Sequence, residues 1–358
     1  MPLHTYINPR AILTGTAASE AVAAGWAWPL LGTMAYAAMD VSVREDGKLT
    51  RLGAIVRMIF DKDAAAIPEP LRNSIRAQMA ALAAPREPFA GQSLAKPVLM
   101  GVLNVTPDSF SDGGLFTNSE AAVAHARGMI EDGAVLIDVG GESTRPGAAV
   151  VSEARELARV IDVIKALAGR GIRVSIDTRR ARVMAEAVKA GATVINDVSA
   201  LGDAAALEAV AASNVSVILM HMQGDPATMQ DNPAYAWAPG DIYDFLAARV
   251  AACVAAGIPK ARIAVDPGIG FGKNDTHNAE IMDHLAMFHG LGCALALGAS
   301  RKGFIGRMSL GEPATLRLPG SIAAALHGVG QGAQILRVHD VAETRQALAL
   351  AGRFAAGH

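Results

Sequence analysis

Between residues 98 and 340 the chain repeats one pattern eight times: a short run rich in Val, Ile and Leu, then an Ala-rich amphipathic stretch. The runs are VLMGVLNV (98–105), VLIDVGG (135–141), RVSIDT (173–178), TVINDVS (193–199), VSVILMH (215–221), IAVDPG (263–268), ALALGAS (294–300) and QILRVHD (334–340). They lack the period-two alternation of half-exposed strands, as expected of parallel strands covered on both faces. Helix signals lie between them: Thr117 with Glu120 as a capping box, Ser152 as a cap, and Gly133, Gly191 and Gly257 at helix ends. A doubly wound open sheet is the competing architecture. Eight successive units within residues 95–358 favour closure into a (β/α)8 TIM barrel.

Composition narrows the class. Acidic residues number 34 and basic ones 32, so no basic excess marks a nucleic-acid surface. At 51% hydrophobic and 18% charged, the chain has ample material for a core and is not a disordered one. Cys253 and Cys293 lack metal-ligand spacing, which fits a reducing, cytoplasmic setting. The 19 uncharged residues AVAAGWAWPLLGTMAYAAM (21–39) have the length of a membrane span. Gly25, Pro29 and Gly32 interrupt them, and no basic cluster or cationic leader accompanies them, so they read as part of a folded domain.

Residues 1–94 stand apart as a small α+β extension. AMDVSVREDGKLTRL (38–52) reads as strand–turn–strand around Asp46-Gly47, and PEPLRNSIRAQMAALAA (68–84) as a helix opened by prolines. PREPFAGQSLAKP (85–97) has the composition of a linker leading to the barrel domain, residues 95–358. The extension carries no catalytic motif and is expected to pack beside the barrel or to aid assembly.

Chemistry gathers where the apolar runs end: Asn104, Asp138, Asp177, Asn196, His221, Asp266, the group Ser300-Arg301-Lys302, and Arg337 with His339. One such residue alone reads as a helix cap or turn; so many together read as a site, because parallel strands converge on one face at their carboxyl ends. Asp177 and Asp266 beside the amide of Asn196 call for a ligand rich in N–H donors, such as an aminopyrimidinone ring. Lys302 can complement that ring's carbonyl, or it can neutralise Asp266 in an internal ion pair. Arg337 and His339 flank Val338, so on a strand they point the same way and can clamp an anion. A divalent metal shared with Asn104 would add neutralising charge.

Three loops add to this. LNVTPDSFSDGG (103–114) suits a segment that closes over a ligand, or an ordinary solvated turn. In GGESTRPGA (140–148) the Arg145 fork can bind carboxylate or phosphate, or pair with Glu142. DPGIGFGKN (266–274) is no dinucleotide fingerprint, and its Phe271 either stacks on a planar ring or belongs to the core. GxSxG, Walker and HExxH motifs are absent, so the chemistry must proceed without an evident protein nucleophile.

The segments LNVTPDSFSDGG, IDVGGESTRPGA (137–148), SIDT (175–178), INDVSAL (195–201), LMHMQGDP (219–226), DPGIGFGKN, GASRKGFIG (298–306) and LRVHDV (336–341) occur in an order that resembles the dihydropteroate synthase family of pterin-binding barrels. The likeness runs from residue 97 to about residue 345 and does not reach residues 1–94. The resemblance implies a TIM barrel, a homodimer and a sulfonamide-sensitive transferase of folate biosynthesis. Such an enzyme joins 6-hydroxymethyl-7,8-dihydropterin diphosphate to 4-aminobenzoate with Mg2+ and releases diphosphate. It further implies that Asp177, Asn196, Asp266 and Lys302 hold the pterin and that Asn104 lies at the metal. Arg337, Val338 and His339 would border the diphosphate; Thr144, Arg145, Pro146, Phe110 and Phe271 would shape the aminobenzoate side; Asp112 would join Asp177 and Lys302 in the catalytic group. Relatives often carry Ser after the lysine, where this chain has Gly303. The alternatives are a corrinoid-linked pterin methyltransferase and a non-catalytic pterin-binding paralogue.

Overall fold

The computed structural model describes residues 4–57, 68–105, 115–142 and 151–356. The first part of the chain builds an antiparallel sheet from β1 (His4–Thr14), β2 (Trp28–Leu30), β3 (Met34–Glu45) and β4 (Lys48–Val56). β3 is its centre, paired with β1 on one side and with β2 and β4 in succession on the other. Asp46 and Gly47 both have positive φ, 48° and 80°, the backbone demanded by a two-residue hairpin turn. The uncharged segment 21–39 is divided among the end of the helix Gly15–Ala23, β2 and the start of β3. Its Trp28, Leu30, Tyr36 and Met39 pack against Ile75 and Leu82 of the helix Glu69–Ala83. Among the described residues no helix is long and apolar enough to cross a membrane.

All eight apolar runs are strands: β5 (Val98–Asn104), β6 (Leu136–Gly140), β7 (Val174–Asp177), β8 (Val194–Asp197), β9 (Ser216–Met220), β10 (Ile263–Asp266), β11 (Ala294–Leu297) and β12 (Ile335–Val338). They pair in parallel and close into a barrel, β12 meeting β5. Helices follow the strands and cover the outside, so the chain is a TIM barrel. Ser152 caps its helix through the Arg155 N–H at 3.4 Å, and Gly133, Gly191 and Gly257 end theirs with positive φ. The helix Leu115–Glu131 begins two residues before Thr117, which therefore lies inside it rather than at its cap.

Alternation survives within the strands, although both faces are buried. Ile137, Val139, Ile176, Ile195, Leu219, Val265 and Leu297 belong to the shell beneath the helices. Leu136, Val194, Ile218, Ala264, Ala294, Ala296 and Ile335 form a separate core inside the lower barrel. Phe89 and Leu94 complete that inner core, held by a small bridge in which Phe89 and Gln92 exchange hydrogen bonds of 2.9 and 2.8 Å. The expected linker thus forms the floor of the barrel. Arg86, just before it, donates to the carbonyls of His289 and Cys293 at 2.8 and 2.9 Å.

The antiparallel sheet is tied to the barrel by charge and aromatic packing. Arg44 reaches Asp241 at 2.5 Å and Asp244 at 2.7 Å, and Arg10 grips Asp283 with two 2.8 Å bonds. Tyr6 donates to Asp244 at 2.7 Å and meets Trp237 and Tyr243 edge-on.

Candidate active site

Two residues above four of these inward apolar positions the strands change character. Leu136 is followed by Asp138, Val194 by Asn196, Ala264 by Asp266 and Ile335 by Arg337. The period of two keeps these side chains inside the barrel, now at its carboxyl end. There they form one network. Asp138 Oδ2 accepts from Asn196 Nδ2 at 3.0 Å and from Arg337 Nε at 2.6 Å, while Arg337 Nη2 donates to Asp177 Oδ2 at 2.8 Å. Asp138 is wholly buried, and its Oδ1 has no partner among the described residues.

Glycines make the space. A Cβ at Gly140 would stand 3.6 Å from Asn104 Oδ1 and 3.9 Å from Asp177 Oδ2, so these two oxygens flank a strand end without a side chain. Gly298 likewise separates Asp266 Oδ2 from the Arg337 stem, each lying 3.7–3.8 Å from its would-be Cβ. Gly268 has a φ of 71°, and a Cβ there would overlap the His221 carbonyl at 1.9 Å. Only glycine lets the loop after β10 fold this tightly against the end of β9.

Lys273 braces that loop from below. Fully buried, it reaches His221 Nδ1 at 3.0 Å and the carbonyls of Phe271 and His221 at 2.8 and 3.2 Å. Burial, with Lys273 alongside, drives the His221 imidazole far down to about 2. His221 is held neutral, packed edge-on against Phe245 and bonded to Lys273, the setting of a hydrogen-bonded strand-end histidine. Above it Lys302 Nζ sits 3.7 Å from the Phe271 ring centre and makes no direct ion pair with Asp266. Phe271 belongs to a small core with Val198, Met220 and Met229, and its ring face is covered by Lys302 Nζ. His339 and Ser300 meet at 3.1 Å, joining the ends of β12 and β11.

The electrostatics are strained toward a ligand. Burial pushes Asp177 up to about 7 against the pull of Arg337, and it raises Asp266 against the 2.7 Å bond from Gly268 N–H. Burial and then Arg337 bring Lys302 down to about 7. Groups held away from their charged forms in this way are what a complementary donor–acceptor partner would relieve.

The expected residues Asn104, Asp177, Asn196, Asp266, Phe271, Lys302, Arg337 and His339 thus all stand at the carboxyl end. Val338 is the correction: its side chain points outward into the shell beneath the helices, leaving only its backbone on the site's side. Phe110, Asp112, Thr144, Arg145 and Pro146 lie outside the described residues. Glu142, just before Ser143, accepts from Val151 N at 2.9 Å and pairs with Arg180 at 3.2 Å. The sequence places Asp138 among the strand-end residues of the site without assigning it a ligand, and it singles out no role for Lys273. For Asp138 the signal was present, a lone carboxylate ending an apolar run; Lys273 looked like an ordinary loop cation.

Residues 100–339 match the family model of the pterin binding enzymes. The dihydropteroate synthase of Escherichia coli (strain K12) is 48% identical over 256 residues, spanning 71% of this chain and 90% of that protein. That of Bacillus subtilis (strain 168) is 44% identical over 257 residues, 71% of this chain and 87% of that protein. Among solved structures, the Xanthomonas albilineans dihydropteroate synthase with 4-aminobenzoic acid superposes with a TM-score of 0.71 at 46% identity, covering 75% of this chain and 97% of that one. The Yersinia pestis enzyme in complex with a sulfonamide drug gives 0.69 at 48% identity, covering 73% and 95%. Barrel, strand-end network and these likenesses coincide over the same residues: the chain belongs to the dihydropteroate synthase family of pterin-binding enzymes.

Proposed function

We propose that this barrel condenses 6-hydroxymethyl-7,8-dihydropterin diphosphate with 4-aminobenzoate, yielding 7,8-dihydropteroate and diphosphate. The observation that carries this reading is the meeting of Asp138, Asp177, Asn196 and Arg337 in one network beside Asp266 and Lys302. Asp266 and Asp177, raised by burial, gain most from the ring N–H and exocyclic amine of the pterin, with Asn196 supplying an amide between them. Lys302, held over the Phe271 ring, complements the ring's acceptors, and Phe271 is assigned with the covering loops to the arylamine side. Related complexes support the pairing: one Xanthomonas albilineans structure holds 4-aminobenzoic acid and another 7,8-dihydropteroate.

No protein nucleophile is needed. The diphosphate leaves first, because nitrogen lone pairs of the reduced ring stabilise the cation that remains on the methylene carbon. Fixed carboxylates beside that cation and cations beside the diphosphate stabilise the separating charges without reorganisation. Arg337 spends Nε and Nη2 on Asp138 and Asp177, which leaves Nη1 to face the departing oxygens next to His339. The arylamine is neutral at pH 7 and attacks without a strong base. Asp112, Phe110, Thr144, Arg145 and Pro146 are assigned, on the resemblance, to the covering loops and the arylamine side.

Among the described residues no group of three or more His, Cys, Asp or Glu could hold a metal ion. The neutral amide oxygen of Asn104, close to Asp177 across Gly140, suits Mg2+ held mainly by substrate phosphate oxygens and water. When bound, that ion supplies neutralising charge to the diphosphate. We also assign residues 95–358 to the catalytic barrel and residues 1–94 to an extension packed beside it, with the ion pairs of Arg10 and Arg44 in support. A cytoplasmic homodimer is the proposed form.

A corrinoid-linked methyl transfer gives Arg337 and His339 no task, and an inert paralogue none to Lys302; neither is favoured. The test is release of diphosphate from the pterin diphosphate by the purified chain. Release that depends on 4-aminobenzoate supports the reading. Absence of turnover, or demethylation of a methyl-tetrahydropterin instead, overturns it.

A further inference from the structure

Immediately after Lys302 a short helix, Gly303–Met308, brings Arg307 back over Gly303. A Cβ on residue 303 would stand 2.8 Å from Arg307 Nη1, so a side chain there would displace the guanidinium from its present place. The other edge of that guanidinium is spoken for. Arg307 Nε donates to both oxygens of Asp275 at 2.9 and 3.0 Å, and Nη2 to Oδ1 at 2.7 Å. Nη1 has no hydrogen-bond partner among the described residues, and the side chain is 57% exposed.

The position of this open donor matters. Asp275 begins the helix that follows the loop carrying Phe271, and Arg307 follows the loop carrying Lys302. Arg307 therefore bridges the two loops that sandwich Lys302 against the Phe271 ring, on their solvent side. Neighbouring cations are already engaged: Arg301 by Asp340, and Arg317 by the carbonyls of Glu312 and Arg301. An arylamine whose nitrogen faces the reacting carbon over the barrel mouth must direct its para substituent outward, toward such a rim.

We propose that Arg307, given room by Gly303 and oriented by Asp275, is the residue that receives the carboxylate of the arylamine substrate and selects for its charge. This rests on the reaction proposed above. A guanidinium fixed along one edge offers the remaining N–H pair to a planar anion with little further ordering. Glycine at 303 and arginine at 307 are then one device, since a side chain at 303 would push the donor aside.

The experiment compares 4-aminobenzoate with the neutral 4-aminobenzamide as acceptors at saturating pterin diphosphate. For Arg307→Met the KM for 4-aminobenzoate is expected to rise about tenfold, one charge-assisted hydrogen bond at a solvated site, with a far smaller change for the amide. Arg307→Lys should recover part of the loss. Gly303→Val should imitate Arg307→Met, and the wild-type preference for the anion should shrink as salt is raised. Asp275→Asn, which weakens the tether but keeps the cation, should lower the preference for the anion by less than Arg307→Met does. An equal rise of KM for both amines in Arg307→Met, or a fall in kcat with their KM ratio unchanged, overturns the assignment and leaves Arg307 a tether between loops. Wild-type protein inactive with both amines would instead overturn the reaction itself, and the inference with it.

Discussion

The two ends of the barrel are made by the same eight strands and could hardly differ more. At the amino end Leu136, Val194, Ala264 and Ile335 close over Phe89 and Leu94 in an apolar floor. Two residues further along, the same inward positions present Asp138, Asn196, Asp266 and Arg337. The floor gains stability from every apolar atom removed from water. The rim does the opposite, since burial shifts Asp177, Asp266 and Lys302 all toward their uncharged forms. Stability resides in one end, and its surplus holds the other end in a state that binding improves.

Substitutions at each end should separate these contributions. The largest effect is expected for Arg337→Ala, which strands Asp138 and Asp177 without their shared cation. Its kcat/KM should fall by about 100-fold or more, and urea unfolding should show a loss of about 3–5 kcal/mol. Phe89→Ala should cost a similar ~3–5 kcal/mol through the cavity it leaves, with kcat of the folded fraction kept; equal damage to kcat would deny the division between floor and rim. Lys302→Met should stabilise the protein by about 1–2 kcal/mol while abolishing most turnover, because it replaces a desolvated ammonium with an apolar chain. A destabilised Lys302→Met would show instead that the cation contributes to folding.

The pH dependence of stability sharpens the same point. Asp177 titrates at about 7 in the folded protein and near 3.8 when exposed, so between these values the folded state holds more of its proton. Folding stability from this group is present at low pH and declines as pH rises through about 7. The stability of the wild type relative to Asp177→Asn should therefore fall across that window and level off above it, as measured by unfolding at a series of pH values. The smallest effect is expected for Arg44→Ala, which releases Asp241 and Asp244 and should cost about 1 kcal/mol without altering KM for either substrate.

The barrel was legible because its strands announce themselves twice, as apolar runs and as polar residues at their ends. The floor was not: Phe89 and Leu94 are single apolar residues in a Pro- and Gly-containing stretch, and irregular backbone carries no period to read. In the first part of the chain β3, β4 and the helix Glu69–Ala83 were foreshadowed by turn and proline signals. β1 and most of the helix Gly15–Ala23 carry no turn or proline signal, and β2 is hidden in an Ala-rich segment with the length of a membrane span. At the site, strand-end position identified Asp177, Asn196, Asp266 and Lys302. The pairing of Asp138 with Arg337, 199 residues away, depends on barrel closure and has no local signature. Val338 lies between two site residues, and strand alternation turns its side chain outward.

The central claim is that the rim carboxylates read the ring of a pterin. It is tested most directly by titration calorimetry of 6-hydroxymethyl-7,8-dihydropterin diphosphate into wild type and Asp266→Ala. The account predicts an affinity loss of about 100-fold or more, the consequence of leaving ring donors unpaired in a buried site, with thermal unfolding no lower than that of the wild type. Undiminished affinity in Asp266→Ala would contradict it.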